Sequence, residues 1–137
     1  MNLRALLLPA PPETPASVGL LLLRAVAGLA MTSHGWGKMQ NPFLWLGGDT
    51  PAVFQFLAAV AEFFGGLALA AGLLSVIASF GIACTMVVAM YRHVSQGDPF
   101  GKWELATLYL VISVLVLLGG PGRFSLDALV RARLEKR

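Results

Sequence analysis

The sequence predicts an all-α integral membrane protein: a bundle of four helices followed by a short C-terminal amphipathic helix. Three observations lead to this prediction. Of the 137 residues, 57% are hydrophobic and 12% are charged, whereas charged residues make up about 25% of an average soluble domain. The mean hydropathy is +0.75. Four apolar stretches separated by turn-forming residues have membrane-spanning length, for which about 17 to 25 residues suffice.

An N-terminal arm precedes the bundle. Residues 1–16 contain four prolines and a run of only three leucines, whereas the apolar region of a signal peptide has about 7 to 15 residues. We therefore expect a flexible arm and no secretory leader. The four-span domain covers residues 17–122, and its first span, 17–39, starts at the capping residue Ser17 and ends before Pro42.

The other spans are defined by apolar runs and by the breakers between them. They are expected at 52–74, 75–94 and 103–119. No charge separates the second span from the third, so a tight turn is expected near Gly72 or Ser75. A cluster of turn residues at 95–101 separates the third span from the fourth.

A basic tail, residues 123–137, follows the helix stop Gly-Gly-Pro-Gly. Ser125 has the character of a helix N-cap, and aliphatic residues recur after it at helical spacing. An amphipathic helix lying on the membrane surface is therefore expected, with a partner-docking helix as the alternative. Five of the ten basic residues fall at or after Arg123, which favours contact with anionic membrane lipid over nucleic acid.

Four spans place both termini on the same side of the membrane. That side carries the basic tail, and the other side carries only Lys38, Arg92 and Lys102. The positive-inside rule then predicts a multi-pass protein with cytoplasmic N and C termini.

Ionisable residues inside apolar spans are costly and point to function. In the first span, basic and small residues recur at intervals of three and four and so form one helix face. Small residues mark the face that packs on other helices in lipid. The stripe consists of Arg24, Gly28, Met31, Gly35 and Lys38. The second span has a similar stripe of Ala58, Glu62, Gly66 and Ala70. Both stripes should face the bundle interior.

An ion pair between Arg24 and Glu62 is expected inside the bundle. If the midpoints of the two spans lie near Gly28 and Phe63, Arg24 is displaced from the midpoint of its span by about 6 Å, at about 1.5 Å per residue. Lys38 lies at a depth that is less suited to a pair with Glu62. Such a pair either fixes helix register only, or Glu62 lines a polar pocket that binds a ligand or exchanges protons.

A second polar group is expected at the outer ends of the helices. It contains His34, Lys38, Arg92, His93 and Glu104. Imidazole titrates near neutral pH, and a basic rim beside a carboxylate suits an anion, a quinone carbonyl or the acidic surface of a partner. Lys38 and Arg92 could instead extend to the membrane surface from their helix ends. The pocket candidates are thus Arg24, His34, Lys38, Glu62, His93 and Glu104.

Metal and thiol chemistry find little support in the sequence. Met86, Met90 and His93 share a helix face and would suit copper, but methionines at helical spacing are typical of core packing, so no metal is expected. The single cysteine, Cys84, excludes an intramolecular disulfide.

Several of these residues together resemble the DoxX family of small bacterial membrane proteins. The likeness rests on Arg24, Gly28, His34-Gly35, Lys38, Glu62, Gly65-Gly66, Gly72, His93 and the segment 120–127. It implies a four-helix protein of the bacterial inner membrane. Relatives are linked to redox work: the DoxD subunit of a thiosulfate:quinone oxidoreductase is similar, and some members assemble with soluble superoxide dismutase and sulfurtransferase partners.

The resulting hypothesis is an accessory subunit of a membrane redox or oxidative-stress complex. A quinone is the candidate ligand for a pocket in the outer half of the bundle, and soluble redox proteins are the candidate partners. The alternatives are a small proton-coupled transporter or lipid-binding protein, in which Arg24 and Glu62 form a gate, and a membrane anchor for a soluble partner. The sequence leaves the catalytic residues, any self-sufficient activity and a homo-oligomeric state open.

Overall fold

A computed structural model describes Leu7 and residues 12–136 of the chain. Between residues 12 and 136 the chain forms five α-helices: α1 Thr14–Met39, α2 Ala52–Ala71, α3 Ser75–Ser95, α4 Glu104–Gly119 and α5 Leu126–Glu135, with a 3-10 turn, Phe100–Lys102, before α4. The described residues include no strand. Each of the first three helices packs on the next, and α4 makes a narrower contact with α1. The predicted all-α bundle is confirmed.

The first three helices have the length and apolar character of membrane spans, with 26, 20 and 21 residues. The fourth is apolar but has only 16 residues, or about 24 Å at about 1.5 Å per residue, against a bilayer core of about 30 Å. The exterior of the bundle is rich in large apolar side chains, and Leu118 on α4 is 82% exposed. Such a surface suits lipid.

The ends of the four bundle helices differ from the prediction by more than one residue at two places. The expected arm, residues 1–16, lies mostly outside the described residues, but Thr14–Ala16 already belong to α1. A proline in the first helical turn loses no hydrogen bond, so Pro15 does not delay the helix. The second span ends at Ala71 instead of residue 74 because Gly72 has a left-handed backbone with φ 68°. The expected tight turn therefore occupies residues 72–74.

Glycines bring the backbones of α1 and α2 into close contact. A Cβ atom added to Gly28 would lie 2.6 Å from the Ala70 nitrogen and the Gly66 oxygen, and one added to Gly35 would clash with the Phe63 nitrogen. These contacts fix the axial register of the two helices. Gly28 lies level with Gly66 and Ala70, and Gly35 lies level with Phe63.

The faces of α1 and α2 point as the stripes predict. On α1, the buried residues include Arg24, Gly28, Met31 and Gly35. On α2, they include Glu62 and Gly66. Met31 also packs in the central apolar cluster, which includes Ile82 and Met86 of α3 and Tyr109 and Val116 of α4.

The segment after α4 closes the end of the bundle that carries the termini. Ser125 accepts a hydrogen bond from the Ala128 nitrogen at 3.1 Å, so the predicted N-cap of α5 is confirmed. The Asp127 carboxylate accepts hydrogen bonds from the Leu74 and Ser75 nitrogens, both at 2.8 Å. Asp127 therefore caps the start of α3 and holds α5 against the turn between α2 and α3.

Candidate functional site

The centre of the candidate site is an ion pair between Lys38 and Glu62. Glu62 lies in the middle of α2 and is 1% exposed. The Lys38 Nζ atom donates a close hydrogen bond to Glu62 Oε1. The second carboxylate oxygen, Oε2, is buried and has no hydrogen-bond partner among the described residues. A buried polar atom without a partner is unfavourable, so Oε2 is suited to accept a hydrogen bond from a small molecule.

The predicted ion pair between Arg24 and Glu62 is wrong. Gly35 lies level with the Glu62–Phe63 backbone, and Arg24 precedes Gly35 by about 16 Å along the helix axis, at about 1.5 Å per residue. A guanidinium group cannot bridge that distance. Lys38 lies about one turn beyond Gly35, and its long side chain reaches Glu62 instead.

Arg24 is fully buried at the other end of the bundle, where main-chain carbonyl groups surround it. Its Nε atom donates to the Pro121 oxygen at 2.9 Å. Its Nη1 atom donates to the oxygens of Leu69 at 3.3 Å and Ala70 at 3.1 Å, and Nη2 donates to the Phe124 oxygen. The C-terminal end of a helix carries partial negative charge, so the end of α2 favours a cation. Arg24 therefore joins three chain segments and lies apart from the candidate site.

The loop between α1 and α2 covers the ion pair. The Lys38 Nζ atom lies 4.3 Å from the centroid of the Trp45 ring, within the range of a cation–π interaction. The Trp45 Nε1 atom donates to the Gln55 main-chain oxygen at 2.9 Å. The buried Gln55 side chain accepts from the Leu46 nitrogen at 2.7 Å and donates to the oxygens of Gly47 and Thr50, both at 2.8 Å. One glutamine thus holds the loop in place.

Helix α4 contributes Tyr109 to the same region. The ring of Tyr109 meets the ring of His34 edge to face, with centroids 5.9 Å apart. Tyr109 is 8% exposed and lies within electrostatic range of Glu62. His34 is exposed, so its ring borders the site from the surface of α1.

The remaining candidates lie at the same end of the bundle but not on the ion pair. His93 Nδ1 lies 2.7 Å from Asp98 Oδ2, and the two side chains are 37% and 28% exposed. Glu104 is exposed in the first turn of α4. Within the described part of the chain, no three His, Cys, Asp or Glu side chains cluster as metal ligands. His93 and Glu104 thus lie at the helix ends, on the rim of this end of the bundle.

Three residues of the site were not anticipated from the sequence: Trp45, Gln55 and Tyr109. All three side chains are uncharged, but an uncharged polar group inside a span is also costly to bury. Gln55 is the only amide side chain within the four predicted spans, and this would have been a usable signal. The position of Trp45 over Lys38 depends on the fold of the loop and had no such signal.

Comparison with known proteins places the chain in a family. The model of the DoxX family matches residues 19–94, more than half of the chain. The chain therefore belongs to the DoxX family and is a membrane protein of that class, as the sequence resemblance predicts.

A curated relative agrees with this assignment. The chain is 27% identical over 117 residues to a protein of Bacillus subtilis (strain 168) described as "Putative oxidoreductase CatD", and the match covers 82% of this chain and 87% of that protein. No solved structure gives a significant match.

Proposed function

We propose that this protein is an accessory membrane subunit of a redox or oxidative-stress complex and that the Lys38–Glu62 pair is the centre of its ligand site. The observation that carries the proposal is the buried Glu62 Oε2 atom, which has no hydrogen-bond partner among the described residues. The redox assignment is supported by the family and by the Bacillus subtilis relative, which is described as "Putative oxidoreductase CatD". We place the protein in the bacterial inner membrane, with cytoplasmic termini and a soluble redox protein as partner.

The chemistry of the pair suits a quinone-sized ligand with oxygen substituents. The Lys38 ammonium group can donate a hydrogen bond to a carbonyl oxygen, and Glu62 Oε2 can accept one from a hydroxyl group. Burial strengthens both interactions because little water competes for them. Tyr109 adds a phenol on the α4 side. His34, His93 and Glu104 form the outer rim through which we propose that the ligand enters.

The transporter hypothesis loses its main support. It requires Arg24 and Glu62 to act together as a gate, but Arg24 donates its hydrogen bonds to main-chain carbonyls far from Glu62. The anchor hypothesis predicts no internal ligand cavity and tolerance of Glu62→Ala. A direct binding measurement separates an anchor from a ligand-binding subunit.

The test is a titration of the purified protein in neutral detergent with a short-chain benzoquinone and with its quinol, followed by quenching of tryptophan fluorescence. Glu62→Gln and Lys38→Met each remove one charge with little change in shape. Each should weaken binding by about tenfold or more, since a hydrogen bond to a charged group contributes about 1.5 to 3 kcal/mol.

The matched controls remove exposed charges elsewhere: Lys102→Met for the lysine and Glu135→Gln for the carboxylate. Both residues are exposed, and both variants should bind as the parent does. His93→Ala should weaken binding less than Glu62→Gln does. Absence of saturable quenching, or equal binding by the parent and both site variants, would contradict the proposed site.

A further inference from the structure

An apolar groove of about 200 Å³ lies at the end of the bundle that carries the termini. Its lining consists of Leu7, Leu73, Leu74, Ile77, Asp127 and Val130. Five of these six side chains are aliphatic, and the Asp127 carboxylate already binds two main-chain nitrogens at the start of α3. The groove therefore presents an aliphatic surface that suits a hydrocarbon chain.

The groove lies where two candidate spans leave the membrane core. Helix α2 ends at Ala71 and α3 begins at Ser75, so the turn between them marks the interface level. Helix α5 is fixed to this turn because the Asp127 nitrogen donates to the Gly72 oxygen at 2.9 Å, in addition to the two bonds of its carboxylate. Hydrogen bonds at the main-chain nitrogen and at the carboxylate of Asp127 thus fix the position of α5 beside the groove.

The C-terminal half of α5 and the residues after it carry an excess of basic side chains. The chain from Arg123 onward has five basic residues and two acidic ones, and one of the two, Asp127, is buried. Arg133 and Lys136 are exposed, and they follow the groove residue Val130 by about 4.5 Å and 9 Å along the helix, at about 1.5 Å per residue. Flexible arginine and lysine side chains cover such distances.

We propose that this end of the protein binds an anionic phospholipid, with an acyl chain in the groove and the phosphate at Arg133 and Lys136. An aliphatic groove at the interface level beside a basic helix face complements both parts of such a lipid. A zwitterionic lipid fills the groove equally well but has no net charge to offer the basic face. The site is independent of the Lys38–Glu62 pair.

The first experiment compares lipids. The full-length protein in neutral detergent is mixed with phosphatidylglycerol or phosphatidylcholine, and the lipid that stays bound is counted by native mass spectrometry. The parent should retain phosphatidylglycerol preferentially. Each basic residue near an anionic surface contributes about fivefold in affinity (about 1 kcal/mol), so Arg133→Gln with Lys136→Gln should reduce the preference by on the order of 25-fold. Lys102→Gln removes an exposed charge at the opposite end and should leave the preference unchanged.

The second experiment tests the groove. Val130→Phe places a larger side chain in it and should reduce the retention of both lipids. Leu129→Phe is the matched control because Leu129 is 58% exposed and does not line the groove. Three results would overturn the proposal: no preference for phosphatidylglycerol in the parent, an equal loss in the Lys102 variant, or full lipid retention by the Val130 variant.

Discussion

Replacement of Arg24 by methionine should destabilise the protein by about 3 to 5 kcal/mol, because it removes four hydrogen bonds from a buried charged group. Methionine keeps a long unbranched side chain but removes the charge and every hydrogen-bond donor. Arg24 is fully buried, so water does not readily replace the lost donors. Two of its acceptors, the carbonyls of Leu69 and Ala70, belong to the last turn of α2, and the Leu69 oxygen also accepts a hydrogen bond from the Gly72 nitrogen at 3.1 Å.

The magnitude follows from the four hydrogen bonds of the guanidinium group. A hydrogen bond to a charged group contributes about 1.5 to 3 kcal/mol, so four independent bonds would exceed the expected loss. Removing the buried cation also removes its desolvation cost, and this offsets part of the loss. Arg24→Lys keeps the charge, but a compact ammonium group cannot reach all four acceptors, which lie on two segments, the end of α2 and the segment after α4. It should lose about half as much stability.

The assay is reversible unfolding in mixed micelles, with increasing fractions of sodium dodecyl sulfate, followed by tryptophan fluorescence and circular dichroism. Arg92→Met is the matched control because Arg92 lies partly exposed in the last turn of α3, and it should stay within about 0.5 kcal/mol of the parent. The role assigned to Arg24 is refuted if the free energy of unfolding of Arg24→Met lies within about 1 kcal/mol of the parent value, or if that of Arg24→Lys equals it. Arg24 would then not hold the three segments together in the way that its hydrogen bonds indicate.

Three further changes test the packing, the cap and the loop. Gly28→Ala should cost about 1 to 3 kcal/mol in the same unfolding assay because its Cβ atom meets the backbone of α2. The control is Gly37→Ala in the same helix, whose Cβ atom meets nothing within 4 Å. Equal losses of stability in the two variants would argue against the close helix contact. Asp127→Asn should cost about 1 kcal/mol, since the amide has one acceptor oxygen for two N–H groups. Replacement of the exposed Glu135 by glutamine should cost almost nothing, and a loss of stability in that control similar to the loss in Asp127→Asn would refute the capping role. Gln55→Leu should speed amide hydrogen exchange in the loop that covers Lys38, measured by mass spectrometry, whereas unchanged exchange would mean that other contacts hold the loop.

The faces of the helices could be predicted from the sequence, but the level at which they meet could not. The spacing of Arg24, Gly28 and Gly35 correctly identified the inward face of α1. The assumed midpoints placed Gly28 opposite Phe63, whereas backbone contact places Gly28 opposite Gly66 and Ala70. An error of one to two turns in register was enough to assign Glu62 the wrong partner.

The segment after α4 shows a similar division. Its glycines and proline predicted a helix stop, and Ser125 predicted the start of α5. Its long-range role was not apparent, because the oxygens of Pro121 and Phe124 accept hydrogen bonds from a side chain about 100 residues earlier, with separations of 97 and 100 residues. Every residue has a main-chain oxygen, so residue types do not reveal which oxygen meets the arginine.

The sequence by itself determined the class of this protein, the order of its helices and the residues on their inward faces, because these depend on composition and on local periodicity. The tertiary structure decided that Lys38 pairs with Glu62, that Arg24 binds carbonyl groups and that Trp45 covers the ion pair. Those choices depend on how closely two backbones approach and on the path of a loop. Both are set by contacts between residues far apart in the chain.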